Sequence, residues 1–296
     1  MTGPRAGLAR GIPSQIEFLR HHAGYRPGRT EARLASWRLL SLRRRPVTVD
    51  LPDLGFRLEL PAEWRGMSKL AYVFREDAEP ELRHLGLVVP PGGTAIDVGA
   101  HYGDYTLALS KVVGPKGRVV AVEPMRHALD VLKRNVALNR ASNVDVEPVG
   151  VGRNPGRATL HLHADPSRAT LGELEQEGAS ESIAITTLDH IVQRSGLQRV
   201  DFVKLDIEGC EYDALKGGRS AIERHQPVIQ FEHQPGAAKR LGHSGTAVWA
   251  LLTELGFGFA AMNDIGRLHR VDGPGRWGPN YFAIPDRRSH LITDPP

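Results

Sequence analysis

The chain has 296 residues, of which 41% are hydrophobic and 24% are charged, an ordinary composition for a globular protein. No run approaches the roughly 20 apolar residues that span a bilayer, and no apolar segment near the N-terminus predicts a secretory signal. The only cysteine, Cys210, excludes an intramolecular disulfide and a cysteine-cluster metal site, so we expect a cytoplasmic protein.

Positive charge is concentrated at the N-terminus. Residues 1–45 contain ten arginines and two acids, a net charge of +8, while the whole chain carries +4, so the remaining residues carry −4. An arginine-rich arm can bind an acidic partner, nucleic acid or a membrane surface, or it can pack on the body as a pair of helices. Because the arm has no zinc-knuckle spacing or aromatic interleaving, we do not expect nucleic acid as a partner.

The predicted elements divide the chain into three parts. Residues 1–45 form a helical arm, with helices at residues 14–22 and 30–44. Residues 46–90 contain a hairpin and then a helix that leads into the core. The hairpin strands are predicted at residues 47–50 and 56–60, and the helix at residues 79–85. Residues 91–296 form the main domain.

From residue 94 onwards, predicted strands and helices alternate, which is typical of a parallel sheet covered by helices on both faces. The predicted strands are residues 94–98, 118–123, 144–149, 200–205 and 227–231, with a closing pair at 257–262 and 281–284. The predicted helices are residues 103–113, 126–139, 188–193, 210–219 and 246–255. Extra strands are predicted at residues 159–163 and 182–186, on either side of a polar insertion at residues 165–178.

Two strand ends carry the chemistry of a nucleotide site. The first strand leads into Asp97-Val-Gly99-Ala-His-Tyr-Gly103, and the second ends in Glu123-Pro124. A dinucleotide site would show G-x-G-x-x-G and a helix N-terminus that faces a pyrophosphate. Here the third glycine of that fingerprint is missing, and Asp97 would repel phosphates. The pattern therefore favours S-adenosylmethionine, a cation without phosphates and with a free ribose diol.

In this interpretation, Asp97 helps to hold the ammonium end of the cofactor and Glu123 accepts the ribose hydroxyl protons. The glycine-punctuated loop passes beneath the amino-acid part, because glycines allow a close approach of the backbone. The predicted cofactor-binding residues are Asp97, Gly99, Ala100, His101, Tyr102, Gly103, Glu123, Pro124, Gly150 and Val151, the last two at the adenine. The alternative is an ordinary α/β turn in which an acid caps the next helix.

Acids also follow two later strands, at the same predicted sheet edge. The predicted catalytic residues are Asp206, Glu232, His233, Lys204 and Glu208. Methyl transfer needs alignment and then proton removal, so Glu232, His233 or Asp206 is a candidate general base. Alternatively, Asp206 and Glu232 share a Mg²⁺-like ion. A third possibility is that Lys204 and the nearby acids form a buried ion-pair network that only fixes the loop.

These motifs resemble the FkbM family of S-adenosylmethionine-dependent methyltransferases. The matching segments are Ala95–Gly103, Val122–Pro124, Leu132–Asn139, Thr187–Asp189, Asp201–Gly209, Ala214–Gly217 and Ile229–Glu232. The most specific is Asp201-Phe-Val-Lys-Leu-Asp-Ile-Glu-Gly209, whereas the first two occur in many methyltransferases. The resemblance covers about residues 76–285; Met125, where a small residue or proline is common, departs from it.

The resemblance implies a Rossmann-like class I methyltransferase fold, with a mostly parallel seven-stranded sheet, helices on both faces and the N-terminal helical and hairpin extension outside it. It also implies methylation of a hydroxyl on a small molecule, often a sugar or a natural-product scaffold. N-methylation of an amide or amine, on a peptide for example, is an alternative. A non-catalytic Rossmann-like binding module is another, and the sequence leaves a homo-oligomer open.

Overall fold

The structure is a computed structural model that describes residues 19–20, 22, 24–61, 66–162, 169–170, 179–263, 265–275 and 280–293. Of the helix predicted at residues 14–22, only residues 19, 20 and 22 are described, and of the insertion predicted at residues 165–178, only residues 169 and 170. None of the described helices combines the length and the apolar composition that a membrane crossing requires.

Fifteen strands and nine α-helices are formed by the described residues. The strands are β1 (Val47–Leu51), β2 (Phe56–Leu60), β3 (Thr94–Val98), β4 (Arg118–Val122), β5 (Val144–Glu147), β6 (Gly150–Val151), β7 (Gly156–Leu162), β8 (Ala169–Thr170), β9 (Ser180–Thr186), β10 (Phe202–Leu205), β11 (Val228–Glu232), β12 (Phe257–Met262), β13 (Leu268–Arg270), β14 (Asn280–Pro285) and β15 (Ile292–Thr293). The helices are α1 (Arg29–Arg43), α2 (Met67–Phe74), α3 (Asp104–Val113), α4 (Arg126–Leu138), α5 (Leu188–Arg194), α6 (Glu211–Gly217), α7 (Arg219–His225), α8 (Pro235–Arg240) and α9 (Ala247–Glu254). Three 3₁₀ helices cover Arg75–Asp77, Pro80–Leu87 and Asp286–Leu291.

The main sheet has the strand order β15-β13-β12-β14-β11-β10-β3-β4-β5. Strands β11, β10, β3, β4 and β5 are parallel, and β14 and β12 pair antiparallel beside them. The prediction of a mostly parallel α/β sheet is confirmed. The predicted count of seven strands is wrong, because β13 and β15 extend the edge beyond β12. Both are too short to show an alternating pattern in the sequence.

Two hydrophobic clusters lie on opposite faces of the sheet. Along each central strand, neighbouring residues alternate between the clusters: Ala95 belongs to one and Ile96 to the other, as do Val119 and Val120. Helices α3 and α4 contribute to the first cluster, and α5, α6, α7 and α9 to the second. The central strands are buried almost throughout because helices cover both faces, as their apolar runs predict.

Helix α4 ties the hairpin β1–β2 to the body of the protein. The Asn135 side chain accepts a hydrogen bond from the Glu59 backbone N–H at 2.6 Å and donates to the backbone oxygens of Glu59 at 3.1 Å and Tyr102 at 2.8 Å. The described part of the arm also packs on the body. Leu34 and Trp37 of α1 are buried, and the Arg33 guanidinium donates to the Val73 backbone oxygen at 2.9 Å.

Several predicted elements differ from the structure in their type or in where they end. The helix expected at residues 79–85 is the 3₁₀ helix Pro80–Leu87, and the helix expected at residues 210–219 ends at Gly217, before α7 begins. The extra strands expected after β6 are confirmed as β7 and β9, within a second sheet of order β6-β9-β7-β8. Helices α2, α7 and α8 were not predicted.

Candidate active site

The strand order of the main sheet reverses between β3 and β10. From β3 the chain builds β4 and β5 on one side, and later returns to build β10 and β11 on the other. In doubly wound sheets, ligands bind at the carboxyl ends of the strands beside such a switch point. The loops after β3 and β10 touch here, since a Cβ atom on Gly99 would lie 1.9 Å from the Asp206 backbone oxygen. With a φ of +84°, this position suits only glycine.

A cavity of about 600 Å³ opens at this edge, a volume that is usual for a small-molecule site. Nine predicted site residues line it: Gly99, His101, Glu123, Pro124, Gly150, Val151, Asp206, Glu208 and Glu232. Lining residues that were not predicted include Met67, Leu70, Glu79, Glu81, Tyr105, Leu160, Ile183, Gln234 and Asn280. A second, smaller cavity of about 400 Å³ lies beside α5 and α7, and it contains none of the predicted site residues.

Glu123, directly after β4, is held in place by two backbone donors. Its Oε2 accepts a hydrogen bond from the His101 N–H at 2.8 Å, and its Oε1 accepts one from the Met125 N–H at 2.8 Å. Burial raises the pKa of Glu123 to about 7, although these two hydrogen bonds oppose the shift. Each carboxylate oxygen keeps a further lone pair, so the fixed group can accept two hydroxyl protons from a ligand in the cavity.

Asp97 lies inside the sheet, behind the cavity. It is fully buried, and its Oδ2 accepts a hydrogen bond from the Thr106 hydroxyl at 2.6 Å. Its Oδ1 has no hydrogen-bond partner among the described residues. Burial raises the pKa of Asp97 to about 6, while the positive charge of Lys204 acts in the opposite direction. Asp97 does not line the cavity, so its contact with a cofactor stays a prediction.

Three other predicted cofactor residues also lie outside the cavity lining: Ala100, Tyr102 and Gly103. Tyr102 is buried, and its hydroxyl donates to Asp104 Oδ2 at 3.1 Å. Gly103 precedes α3 with a φ of +95°, and a Cβ atom there would lie 2.6 Å from the Leu132 side chain. These residues shape the loop from behind, and direct cofactor contact by any of them stays a prediction.

Asp206 and Glu232 form a carboxyl pair at the adjacent ends of β10 and β11. Their side chains are hydrogen-bonded to each other. Burial, and then the charge of Asp206, raise the pKa of Glu232 to about 9. Burial also acts to raise the pKa of Asp206, but Lys204 and the hydrogen bond from Glu232 hold it below its ordinary value. The pair therefore shares one proton at neutral pH, with the proton on Glu232 and the charge on Asp206.

Lys204 stands behind this pair. Its Nζ donates to Asp206 Oδ2 at 2.9 Å and lies 4.3 Å from the centre of the Tyr105 ring. Burial acts to lower the pKa of Lys204, but Asp206 and Asp97 outweigh it and raise that pKa above its ordinary value. Lys204 is thus a permanent cation that does not line the cavity and that keeps Asp206 ionised.

His233 is not brought to the cavity. Its Nδ1 accepts a hydrogen bond from the Trp249 indole N–H at 3.2 Å, and its ring packs edge-to-face on Trp249 and Tyr281. Glu232 is the last residue of β11 and lines the cavity, whereas His233 follows the strand and lies outside the cavity lining. The role of His233 as general base stays a prediction.

Glu211 holds the loop that carries Asp206 and Glu208, and it was missed by the sequence analysis. Its carboxylate accepts hydrogen bonds from the backbone N–H groups of Ile207 at 3.1 Å and Gly209 at 3.2 Å. Burial raises the pKa of Glu211 to about 7. The available signal was an acid in the first turn of the helix that follows the loop, where carboxylates accept from free backbone donors.

The predicted metal site fits these residues poorly. Among the described residues, no group of three or more His, Cys, Asp or Glu side chains is arranged to hold a metal ion. Lys204 already occupies one oxygen of Asp206, and the raised pKa of Glu232 leaves that carboxyl protonated. Hard divalent cations need several ionised or carbonyl oxygens, so we derive no step that uses a metal.

Comparison with known proteins decides the family. Residues 97–259 match the family model described as the methyltransferase FkbM domain, a match over more than half of the chain. The chain belongs to the FkbM methyltransferase family. The resemblance inferred from the motifs is thereby confirmed, and the matched residues include both Glu123 and the Asp206–Glu232 pair.

Three relatives of this family member are named for methyl transfer or for biosynthesis. Methyltransferase sdnD of Sordaria araneosa is 28% identical over 66% of this chain and 81% of its own length. Methyltransferase 1 of Beauveria bassiana is 26% identical over 43% of this chain and 59% of its own length. The AMB antimetabolite synthetase AmbE of Pseudomonas aeruginosa is 24% identical over 80% of this chain. The chain spans only 12% of the length of AmbE and less than two thirds of Methyltransferase 1.

Similar solved structures include the FkbM methyltransferase of Methylobacillus flagellatus, which is 22% identical with a TM-score of 0.42. That alignment covers 86% of this chain and 59% of the other. Another is the fibrillarin of Aeropyrum pernix in complex with S-adenosylmethionine, at 14% identity and a TM-score of 0.39. It covers 67% of this chain and 68% of the other.

Proposed function

We propose that this protein transfers the methyl group of S-adenosylmethionine to a hydroxyl of a small molecule, in the cavity beside β3 and β10. Membership of a methyltransferase family supports methyl transfer, and a relative named as an antimetabolite synthetase supports a natural-product acceptor. One observation carries the assignment to this cavity. The fixed Glu123 carboxylate and the proton-sharing Asp206–Glu232 pair line the same space.

The strand order separates a cofactor half from an acceptor half. Glu123 follows β4 and Glu232 ends β11, three strand spacings away, which is about 14 Å along the sheet edge. In this proposal the ribose hydroxyls donate to Glu123, and the adenine lies against Val151, Leu160 and Ile183. The amino-acid part passes over Gly99, where the absence of a side chain leaves the backbone accessible. The acceptor enters on the β11 side.

When bound, S-adenosylmethionine supplies a methyl carbon whose bond to the sulfonium sulfur breaks as the acceptor oxygen bonds to that carbon. The chain has to align the acceptor oxygen and take its proton. Asp206 is the ionised member of the pair, so it accepts the hydroxyl proton. Lys204 holds Asp206 at 2.9 Å and keeps it ionised until the acceptor arrives. Glu232 keeps its proton and donates a hydrogen bond to Asp206, which orients that carboxylate.

The proposal is tested in two steps. Calorimetry should show that one S-adenosylhomocysteine binds per chain, and absence of binding would contradict the cofactor half. Incubation with S-adenosylmethionine carrying a deuterated methyl and a panel of hydroxyl- and amine-bearing acceptors, read by mass spectrometry, should place the label on oxygen. Label on nitrogen would favour the alternative of N-methylation. The poor fit of the carboxyl pair to Mg²⁺ further leads us to propose that transfer is metal-independent.

A further inference from the structure

Carboxyl groups dominate the charged lining of the cavity. Six carboxyl side chains line the cavity: Glu79, Glu81, Glu123, Asp206, Glu208 and Glu232. No lysine or arginine is found among the described residues of the lining. Of the six, Glu123 serves the proposed cofactor, and Asp206 and Glu232 serve proton transfer. Glu79, Glu81 and Glu208 have no part in either task, and the first two lie together at the start of one 3₁₀ helix.

Glu81 lies next to the proposed reaction centre. Glu232 of β11 pairs in register with Asn280 of β14, and the Asn280 side chain donates to Glu81 Oε1 at 3.4 Å. Glu79 and Glu81 flank Pro80 at the start of the 3₁₀ helix, so both carboxyls line the cavity from one short segment. No hydrogen bond or ion pair engages the Glu79 carboxyl within the described part of the chain. Burial and then the charges of Asp104 and Glu81 raise the pKa of Glu79, although Lys204 acts in the opposite direction. A cationic ligand beside Glu79 would favour its ionised form further.

Tyr105 provides an independent sign of a ligand at this place. Its side chain is 4% exposed and lines the cavity. Its hydroxyl accepts a hydrogen bond from Gln230 Nε2 at 2.9 Å, so the hydroxyl proton remains available. Among the described residues, no hydrogen bond is formed in which this hydroxyl is the donor, and the Gln230 Oε1 also lacks a partner. A buried donor without an acceptor is costly unless a ligand provides one, and an oxygen of the acceptor would do so.

We propose that the methyl acceptor carries a protonated amine, bound by Glu79 and Glu81, close to the hydroxyl that is methylated. This inference rests on the proposed function. A protonated amine has no lone pair for the methyl carbon, so the methyl group goes to oxygen although an amine is present. Met67 and Leu70 line the cavity from α2 and offer an apolar contact for the carbon skeleton. Acceptors with a carboxylate or phosphate are repelled by the same acids.

The experiment compares probes that share a skeleton within each series and differ in the charge of one substituent. Tyramine, N-acetyltyramine and 3-(4-hydroxyphenyl)propionate share a phenol and carry a cation, no charge and an anion. Glucosamine and N-acetylglucosamine form a second pair. Each is titrated by calorimetry into protein saturated with S-adenosylhomocysteine. We expect the amine of each series to bind about tenfold tighter or more than its N-acetyl partner, the effect of one charge-assisted hydrogen bond. Equal affinities, or no binding of either amine, would overturn the inference.

Substitutions test whether Glu79 and Glu81 are the groups that bind the amine. Glu79→Gln and Glu81→Gln should each weaken amine binding about tenfold while the affinity for S-adenosylhomocysteine is unchanged. Glu76→Gln is the matched control, since Glu76 lies in the preceding 3₁₀ helix and outside the lining, and it should keep the preference. If the variant that carries both Glu79→Gln and Glu81→Gln still binds the amines more tightly than their N-acetyl partners, the inference is also overturned. If the protein without substitutions does not bind S-adenosylhomocysteine, that result would instead contradict the proposed function.

Discussion

Gly99→Ala tests whether the contact between the loops after β3 and β10 builds the active site. The new Cβ atom would lie 1.9 Å from the Asp206 backbone oxygen and 2.9 Å from its carbonyl carbon. A backbone atom cannot turn aside as a flexible side chain can, so the two loops must separate. The φ of +84° adds a conformational penalty of about 1–2 kcal/mol. Overpacking adds about 1–3 kcal/mol, so we expect a loss of about 2–5 kcal/mol in the free energy of unfolding.

Gly256→Ala is the matched control for this variant. Gly256 has a φ of +82°, and a Cβ atom there would meet nothing within 4 Å. The free energy of unfolding of Gly256→Ala should therefore fall only by the conformational penalty of about 1–2 kcal/mol. The difference between the variants, measured by urea unfolding, isolates the clash with Asp206. Turnover should be lost in Gly99→Ala alone, because moving the Asp206 backbone displaces its carboxylate from Lys204 and Glu232. Equal destabilisation of the two variants, or full turnover in Gly99→Ala, would refute the reasoning.

Three further predictions concern the carboxylates and the metal. Asp206→Asn and Glu232→Gln should bind S-adenosylhomocysteine normally by calorimetry but lower kcat by about 10²–10⁴-fold, the usual worth of general acid–base catalysis; unaltered turnover in both would remove the pair from the mechanism. Affinity for S-adenosylhomocysteine should fall as the pH drops from about 8 to about 6, because the pKa of Glu123 is about 7 and only its ionised form accepts both ribose hydroxyls. Glu123→Gln should bind about tenfold or more weakly and lose this pH dependence, whereas a pH dependence that persists there would assign it to another group. Dialysis against EDTA should leave turnover unchanged, and restoration by Mg²⁺ of an activity lost to EDTA would revive the metal hypothesis.

Protonation of Glu123 weakens cofactor binding but favours the folded state. The pKa of Glu123 is raised in the folded state, so the folded protein holds a proton that the unfolded chain has already lost. Its contribution to stability is therefore greatest below the unfolded pKa and declines as the pH rises through about 7. Binding of the cofactor should offset this decline, because it stabilises the ionised form. Thermal unfolding with and without S-adenosylhomocysteine at several pH values measures both effects.

The central sheet and the position of the site could be read from the amino-acid order alone. Long apolar runs, each followed by an acid or a glycine, predict parallel strands buried on both faces. The carboxyl ends of parallel strands share one edge, so Glu123, Asp206 and Glu232 had to come near the same place. A close backbone approach at Gly99 was also predicted, and the Asp206 backbone oxygen is the neighbour that leaves no room for a Cβ atom there.

Tertiary structure decided which of these side chains face the cavity and what surrounds them. Glu232 and His233 are adjacent in the sequence, but Glu232 ends β11 at the cavity and His233 packs against Trp249 and Tyr281. Glu79 and Tyr105 carried no motif, because they reach the site from separate elements that meet only after folding. The ionisation of Asp206 depends on the distance to Lys204 and on the burial of both, and distance and burial are properties of packing that residue spacing does not contain.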